Sequence, residues 1–366
     1  MKEKIKKYMV KNMSEMEVPK GLTGVIVDST SIATTDPEGN LVYRGYRAVD
    51  LARHRSFAEI AYLVVYGELP DKHLLSEFED KLFSNSKPIP ELRRVIEILK
   101  EKNVMVSLRT LTSAIQVHSE NALDTLLAIA AQIPVMASDS YRNANGLTYL
   151  NQNHNNLSKR MYYLFTGEEN EIRAAMLEKI MIMYMEHEFN ASTFALRVAA
   201  STATDPASAI NAAISTLKGP LHGGANAEIL SYLLKFKDEE EGISFVKERL
   251  DRKQLIMGFG HRVYKTKDPR AQFIKEELRK IIGSTERFKI ATAIEDYLWD
   301  TKKLPANLDY YGAFYLHEIG IVEPLYTPLF ASSRVFGWIA HYLEQTSNNK
   351  LIRPLAKYIG PTDRKL

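Results

Sequence analysis

One histidine in this chain lies between residues that interrupt helices. The string KGPLHGGAN, residues 218–226, sets His222 between Pro220 and two glycines, just before the apolar run 229–234. This pattern predicts a turn leading into a helix, with His222 near the helix N-terminus. The positive end of the helix macrodipole disfavours imidazolium, so a neutral ring could donate a hydrogen bond to a developing enolate or oxyanion. A helix-capping or hydrogen-bonded core histidine is the alternative interpretation.

Two further histidines are centred in short motifs, and other strings supply a carboxylate and arginines. EHEFNAST, residues 186–193, contains His187, and MGFGHRVYK, residues 257–265, contains His261. The remaining strings are DPR (268–270), PANLDYY (305–311), SRVFGW (333–338) and LIRP (351–354). Three of these strings contain an arginine, Arg270, Arg334 and Arg353, and planar guanidinium groups can bind carboxylates bidentately. The alternatives are a core histidine at 187, a helix N-cap aspartate at 309 and exposed surface arginines.

The elements that must position these residues are mostly helices. Ser56 with Glu59 predicts a capping box for a helix closed by Gly67, and Asp205 with Pro206 predicts another helix start. Apolar periodicity and these signals predict helices over residues 57–66, 92–99, 122–137, 172–185, 206–217, 245–255 and 271–282. We expect residues 143–156, which are rich in asparagine, to form a polar loop.

The exception is one β-hairpin near the N-terminus. The segments 25–27 and 41–43 are β-branched or aromatic, and DPEGN, residues 36–40, is a turn signal between them. The fold class is therefore all-α with a small N-terminal hairpin. The helical pattern is interrupted at Gly219 and Pro220, which suggests a domain boundary there, and we expect a second boundary near Pro305, where the chain would re-enter the larger domain. We expect a large domain over residues 1–216, a smaller helical domain over 217–310, and a return to the large domain over 311–366.

Composition narrows the class of protein. The chain has 366 residues, 45% of them hydrophobic, which suffices for a substantial core. Its net charge of +3 does not indicate a nucleic-acid partner, although Lys2, Lys4, Lys6 and Lys7 make the N-terminal tip basic. The absence of cysteine suits a reducing cytosol. Residues 122–137 are too short and too interrupted to span a bilayer, so we expect a buried helix and a cytoplasmic protein without a membrane partner.

Motifs for several other ligands are absent. The sequence has neither a P-loop nor a dinucleotide-binding glycine fingerprint. It also lacks cysteine pairs and histidines at the helical i, i+4 spacing of a zinc hydrolase, so no metal site is predicted. The pair Gly258 and Gly260 permits close approach of a backbone to a nucleotide, with Lys265 as a point charge for phosphate, but glycines alone are weak evidence.

Taken in order and at these intervals, the motif strings resemble the citrate synthase family from about residue 21 to residue 360. The resemblance is strongest to the short archaeal and Gram-positive citrate synthases and to the 2-methylcitrate synthases. It implies a two-domain helical fold and an enzyme that condenses an acyl-CoA thioester with oxaloacetate. Acetyl-CoA or propionyl-CoA would be the co-substrate, with no tightly bound cofactor.

The resemblance also implies a role for each residue that matches a family motif. Asp309 would be the base that removes the methyl proton, His222 the donor to the thioester oxygen, and His261 the donor to the 2-oxo carbonyl. Oxaloacetate would be held by His187, Arg270, Arg334 and Arg353. Arg353 would reach the neighbouring subunit's site, which makes the expected active unit a homodimer. Coenzyme A would contact Leu221, Met257, Gly258, Gly260 and Lys265.

Three functions stay open on sequence grounds. They are a citrate synthase, a 2-methylcitrate synthase of broader acyl-CoA range, and a non-catalytic relative that binds CoA or a dicarboxylate. Residues 187–194 are more similar to methylcitrate synthases, whereas residues 258–265 are more similar to archaeal citrate synthases. One methyl group in an apolar pocket discriminates by only about 1 to 3 kcal/mol, so both acyl-CoAs could be substrates.

Overall fold

The computed structural model describes residues 18–36, 38–115, 119, 121–151, 154–223, 225–261, 263–264, 266–362 and 364–365. The basic residues at 2–7 lie outside the described residues. The described chain falls into two compact units, divided between Ser31 and Ile32. The first unit contains a short 3₁₀ turn, Lys20–Leu22, and an extended stretch in which the Ile26 side chain is 91% exposed.

The second unit begins with a three-stranded antiparallel sheet. Its strands are β1 (Ala33–Thr35), β2 (Leu41–Tyr43) and β3 (Tyr46–Arg47), in that spatial order. The predicted turn at 36–40 is confirmed: Asp36 N donates to Asn40 O over 2.9 Å, and Asn40 N donates to Asp36 Oδ1 over 2.7 Å. The strand predicted at 25–27 is wrong. The turn at 36–40 connects the residues on either side of it, so β2 pairs with β1 at 33–35 and not with residues 25–27.

The rest of the described second unit is helical, in agreement with the predicted fold class. Its sixteen α-helices are α1 (Ala48–His54), α2 (Phe57–Tyr66), α3 (Lys72–Asn85), α4 (Pro90–Leu99), α5 (Val104–Ala114), α6 (Ala122–Ala144), α7 (Leu157–Thr166), α8 (Glu171–Tyr184), α9 (Ala191–Ser201), α10 (Pro206–Leu217), α11 (Ala225–Leu233), α12 (Glu239–Asp251), α13 (Pro269–Ile282), α14 (Glu286–Lys302), α15 (Leu308–Glu318) and α16 (Tyr326–Ser347).

Helix ends follow the capping chemistry of the sequence. The Ser56 and Glu59 capping box of α2 is present in both directions, and Asp205 accepts from Ser208 N at the start of α10. The helix predicted over 245–255 is shifted: it begins six residues upstream at Glu239, after the Asp238 cap, and Lys253 has a positive φ of 53° just beyond its end. The polar loop predicted from 143 begins after α6 ends at Ala144.

Two long helices form the centre of the core. α16 packs against α2, α6, α8 and α9, and its residues are buried along most of its length. α6 is the one helix of the described chain with the length and apolar composition to cross a membrane, by those two properties alone. Its most apolar window is 78% buried inside the protein, as in the core helix of a soluble protein. The buried helix predicted for residues 122–137 is therefore confirmed.

Candidate active site

The start of α15 is tied to the glycine loop that precedes His261. Gly260 N donates to Pro305 O over 2.8 Å, and Asn307 N donates to Gly258 O over 2.9 Å. The cap of α15 is Asn307, whose Oδ1 accepts from the backbone N of Asp309 over 3.0 Å. The alternative interpretation of Asp309 as an N-cap is therefore wrong, because Asp309 is the second residue of the helix and its carboxylate does not cap it.

A buried ion pair places Arg270 beside the start of the same helix. Arg270 Nη2 lies 2.8 Å from Asp268 Oδ2, and its Nε donates to Asp268 Oδ1 over 3.0 Å. Asp268 Oδ2 also accepts from Leu308 N over 3.1 Å. Burial, the largest single effect, lowers the pKa of Arg270, but the charge and hydrogen bond of Asp268 together with the neighbouring Tyr264 and Tyr43 outweigh it, so the pKa is raised and the side chain stays charged. One buried carboxylate thus links Arg270 to the residue before Asp309.

His261 is held in one tautomer by backbone amides. Its Nδ1 accepts from Val263 N over 3.1 Å and from Tyr264 N over 3.2 Å, so the hydrogen of the neutral ring is on Nε2. Nε2 lies 3.3 Å from Arg270 Nη2, and in this tautomer both atoms are donors.

His187 lies beside His261 and lacks a hydrogen-bond partner at one nitrogen. The two ring centroids are 5.1 Å apart, and the His187 side chain is buried. Among the described residues, no group forms a hydrogen bond with its Nε2. Burial, followed by the nearby Arg270 guanidinium, holds its pKa well below the ordinary value. His187 is therefore neutral, and it is not the satisfied core histidine of the alternative interpretation.

Arg334, on α16, is a buried cation with an unsatisfied donor. Its Nε donates to Tyr184 O over 2.6 Å, but its Nη1 has no hydrogen-bond partner among the described residues. Burial lowers its pKa to about 10, an effect that the nearby Glu186 carboxylate opposes, so it is charged at neutral pH. An unpaired buried donor costs about 1 to 3 kcal/mol, which a bound anion would offset. The surface interpretation is wrong for both Arg270 and Arg334.

Glu186 is also buried, in a chain of hydrogen bonds between α9 and α16. His341 Nε2 lies 3.1 Å from Glu186 Oε1, and His341 Nδ1 lies 3.1 Å from Arg197 Nη1. A neutral His341 can donate to the carboxylate and accept from the guanidinium at the same time. These hydrogen bonds connect Glu186, the residue before His187, to α16 and α9.

His222 lies in the turn before α11 and contacts Ser192. Its Nε2 is 2.9 Å from Ser192 Oγ, and Ser192 Oγ is 2.8 Å from Asn190 Oδ1. The hydroxyl donates to Asn190 Oδ1 in this arrangement, and His222 Nε2 then donates to Ser192 Oγ. If the hydroxyl rotates to donate to Nε2 instead, the neutral ring carries its hydrogen on Nδ1. The pKa of His222 is lowered to about 4 by burial and then by Arg334, so the neutral ring predicted from the sequence has burial as its main cause.

The predicted coenzyme A residues have varied surroundings. Leu221 is 85% exposed, and the carbonyl of Met257 accepts from Tyr232 Oη over 2.8 Å. At Gly258 the φ is +88°, and a Cβ would lie 2.9 Å from Ile229 Cδ1, so close packing requires the glycine. Gly260 is more open, because the nearest atom to a Cβ there would be 3.7 Å away. Lys265 lies outside the described residues.

Arg353 lies apart from the buried arginines. It is exposed, in the extended segment after α16. The start of that segment is anchored on α9, since Asn349 Nδ2 donates to Ser201 O and Ile352 N donates to Ser201 Oγ, each over 3.1 Å.

Several residues in and around the site were not predicted from the sequence as functional. They are Thr35, Glu186, Ser192, Tyr264 and Asp268. All except Thr35 lie inside the motif strings, so adjacency to a candidate residue is the signal that could have identified them. Thr35 belongs to the strand that the sequence analysis misplaced, and its N donates to Glu188 Oε1 over 2.9 Å.

Comparison with known proteins gives consistent similarities along the chain. The family model for the C-terminal domain of citrate synthase matches residues 21–355. A citrate synthase of Haloferax volcanii is 38% identical over 95% of this chain and 97% of its own length. A 2-methylcitrate synthase of Shewanella oneidensis is 36% identical over 94% and 96%, respectively. The ternary complex of Thermoplasma acidophilum citrate synthase with carboxymethyl coenzyme A and oxaloacetate superimposes with a TM-score of 0.88, at 30% identity, covering 96% of this chain and 98% of that one.

Proposed function

The chain belongs to the citrate synthase family, and we propose that it condenses acetyl-CoA with oxaloacetate and water to give citrate and CoA. The observation that carries this proposal is the group of buried donors around His187. Arg334 Nη1 and His187 Nε2 have no hydrogen-bond partner among the described residues. A small dianion with an oxo group supplies the acceptors that this group of donors lacks.

In the proposed mechanism, oxaloacetate binds first. Arg270 and Arg334 hold its carboxylates, His187 donates to it, and His261 donates from Nε2 to the 2-oxo oxygen. Two cations beside the 2-oxo acid withdraw electron density from the carbon that is attacked. As the carbon–carbon bond forms, this oxygen becomes an alkoxide and takes up a proton from His261.

Asp309 and His222 act together on the acyl-CoA. The methyl proton of a thioester is far less acidic than a carboxylic acid, so a base alone does not suffice. Asp309 removes this proton while His222 donates from Nδ1 to the thioester oxygen, and the resulting enol attacks the oxo carbon. This role requires the Ser192 hydroxyl to donate to His222 Nε2. Citryl-CoA is then hydrolysed to citrate and CoA.

We further propose that the site closes around its substrates and is shared between subunits. Residues 217–310 would form the smaller domain, and residues 1–216 and 311–366 the larger. Closure would bring Leu221, Met257, Gly258, Gly260 and Lys265 onto coenzyme A and keep intermediates from water until hydrolysis. Arg353 would enter the site of a second copy, in a cytoplasmic homodimer.

The test is release of CoA, followed with a thiol reagent, with oxaloacetate plus acetyl-CoA and in parallel propionyl-CoA. A higher kcat/KM with acetyl-CoA, abolished in His222→Gln, supports a citrate synthase. A preference for propionyl-CoA would favour the 2-methylcitrate synthase suggested by the Shewanella relative. No release with either acyl-CoA would contradict condensation and leave the non-catalytic alternative.

A further inference from the structure

The ring of Tyr264 is in contact with three side chains of the site. It stacks on His261 with ring centroids 4.7 Å apart and an interplanar angle of 30°. The ring meets His187 edge-on, at 5.6 Å and 88°, and the guanidinium carbon of Arg270 lies 5.4 Å from its centroid. Tyr264 is therefore a common packing partner of the groups that are proposed to hold the 2-oxo acid.

The position of this ring is well defined. The side chain is 4% exposed, and the backbone N of Tyr264 is one of the two donors that fix the tautomer of His261. The hydroxyl is buried without a hydrogen-bond partner among the described residues. Burial raises its pKa, so the phenol remains neutral at working pH and has no charge to contribute. The ring is thus the part of the side chain in contact with the site.

Tyr264 also borders a cavity. The cavity has a volume of about 680 Å³ and is lined by Tyr264 together with Thr35, Lys267 and Phe273, but not by His187, His261 or Arg270. Truncation of the ring would extend this cavity toward the two histidines and admit water to them. The low pKa of His187 depends first on burial, so it is sensitive to such a change.

We propose that Tyr264 is a positioning residue whose aromatic ring orients His187, His261 and Arg270 for binding of the 2-oxo dicarboxylate. This inference rests on the proposed function. His187 Nε2 has no partner among the described residues, so packing against the ring sets its direction. A displacement of about 1 Å in such a donor can lower catalysis about 100-fold.

The experiment compares Tyr264→Leu, which removes the ring, with Tyr264→Phe, which keeps it. The matched control is Tyr162→Leu, which removes another buried tyrosine ring, one whose hydroxyl donates to Ile319 O over 3.1 Å and which has no part in the proposed site. For each variant, steady-state kinetics give KM and kcat for oxaloacetate and acetyl-CoA. Calorimetry measures the binding of oxaloacetate, and NMR follows the titration of His187.

We expect Tyr264→Leu to weaken oxaloacetate binding and to lower kcat/KM for oxaloacetate about 10- to 100-fold. KM for acetyl-CoA at saturating oxaloacetate should change less than about threefold, and the pKa of His187 should rise toward its ordinary value. Tyr264→Phe should retain wild-type values within about threefold, because the ring, which this variant keeps, makes the contacts with His187, His261 and Arg270. Tyr162→Leu should lower stability and leave both KM values unchanged.

Two results would overturn the proposal. One is an unchanged KM for oxaloacetate in Tyr264→Leu, with a lower kcat that is explained by a smaller fraction of folded, active protein. That result would indicate a purely structural residue. The other is an equal loss in Tyr264→Phe and Tyr264→Leu, which would assign the effect to the hydroxyl. An inactive wild-type protein that still binds oxaloacetate would contradict condensation, and the calorimetric comparison would still test Tyr264.

Discussion

At the residue scale, Asp309 is the proposed base, and its charge acts on the buried Arg334 guanidinium. Asn307 caps α15, so the Asp309 carboxylate is not needed to start the helix. We expect Asp309→Asn to lower kcat about 10²- to 10⁴-fold while the KM for oxaloacetate stays within a few fold, because only the base is removed. Steady-state kinetics and a thermal melt measure both effects.

The control for this substitution is Asn307→Ala, which should cost about 1 kcal/mol of stability through loss of the cap. A retained wild-type kcat in Asp309→Asn would refute the proposed base.

His222 should make the stability of the protein depend on pH. The folded protein keeps its pKa near 4, whereas the unfolded chain takes up a proton near the ordinary value of 6.5. Its contribution is therefore complete above pH 6.5 and is lost as pH falls toward 4. Between pH 7 and pH 5 the wild type should lose about 2 kcal/mol more of its free energy of unfolding than His222→Gln. Chemical denaturation at the two pH values measures this difference.

His73→Gln, whose side chain is 77% exposed, is the control and should keep the wild-type pH dependence. Equal pH dependence in His222→Gln and the wild type would show that His222 is not buried in its neutral form.

The motifs in the sequence predict candidate site residues, but not the contacts that surround them in the folded chain. The tautomer of His261 depends on amides two and three residues further along the chain, which a motif cannot reveal. Asp268 was quoted only as part of a string, yet it connects Arg270 to the start of α15. His187 Nε2 and Arg334 Nη1 are buried without a hydrogen-bond partner among the described residues. Such a lack of partners is a result of tertiary packing, so a sequence does not reveal it.

At the element scale, helix ends were predictable where a cap is written locally. α2 and α10 begin at capping residues that the sequence identifies, because such hydrogen bonds span three residues. Strand pairing is not local in the same way. Residues 25–27 have strand-forming composition, but β2 pairs with the segment adjoining the turn, and composition alone does not indicate which segment that is.

The glycine loop offers a test of packing between elements. Gly258 and Gly260 both have positive φ, but only a Cβ at Gly258 would collide, with Ile229 of α11 and Tyr310 of α15. We expect Gly258→Ala to destabilise the protein by about 2 to 4 kcal/mol, from backbone strain plus overpacking. Gly260→Ala should cost about 1 to 2 kcal/mol, from strain alone. Denaturation curves give both values.

The same pair of variants separates packing from ligand contact. A larger rise in the KM for acetyl-CoA in Gly260→Ala than in Gly258→Ala would support a nucleotide contact at Gly260. Equal stability of the two variants would contradict the packing role of Gly258.

At the scale of the whole molecule, the proposed site has two buried arginines and one exposed one. Arg270 and Arg334 are fixed inside the chain, whereas Arg353 is exposed beyond α16. The exposure of Arg353 is consistent with the proposal that it serves the site of a second copy of the chain. Sharing of the site between two copies of the chain can be tested by complementation.

Asp309→Ala and Arg353→Ala should each be nearly inactive alone. In a mixed dimer, the subunit that keeps Asp309 receives Arg353 from its partner. One of the two sites of that dimer is therefore complete. Random reassembly of equal amounts should therefore restore about a quarter of wild-type activity. Light scattering verifies the dimer, and each variant reassembled with itself is the control.

If Arg353 served its own subunit, every mixed dimer would lack a complete site and activity would not return. Full activity of Arg353→Ala alone would remove the arginine from the mechanism.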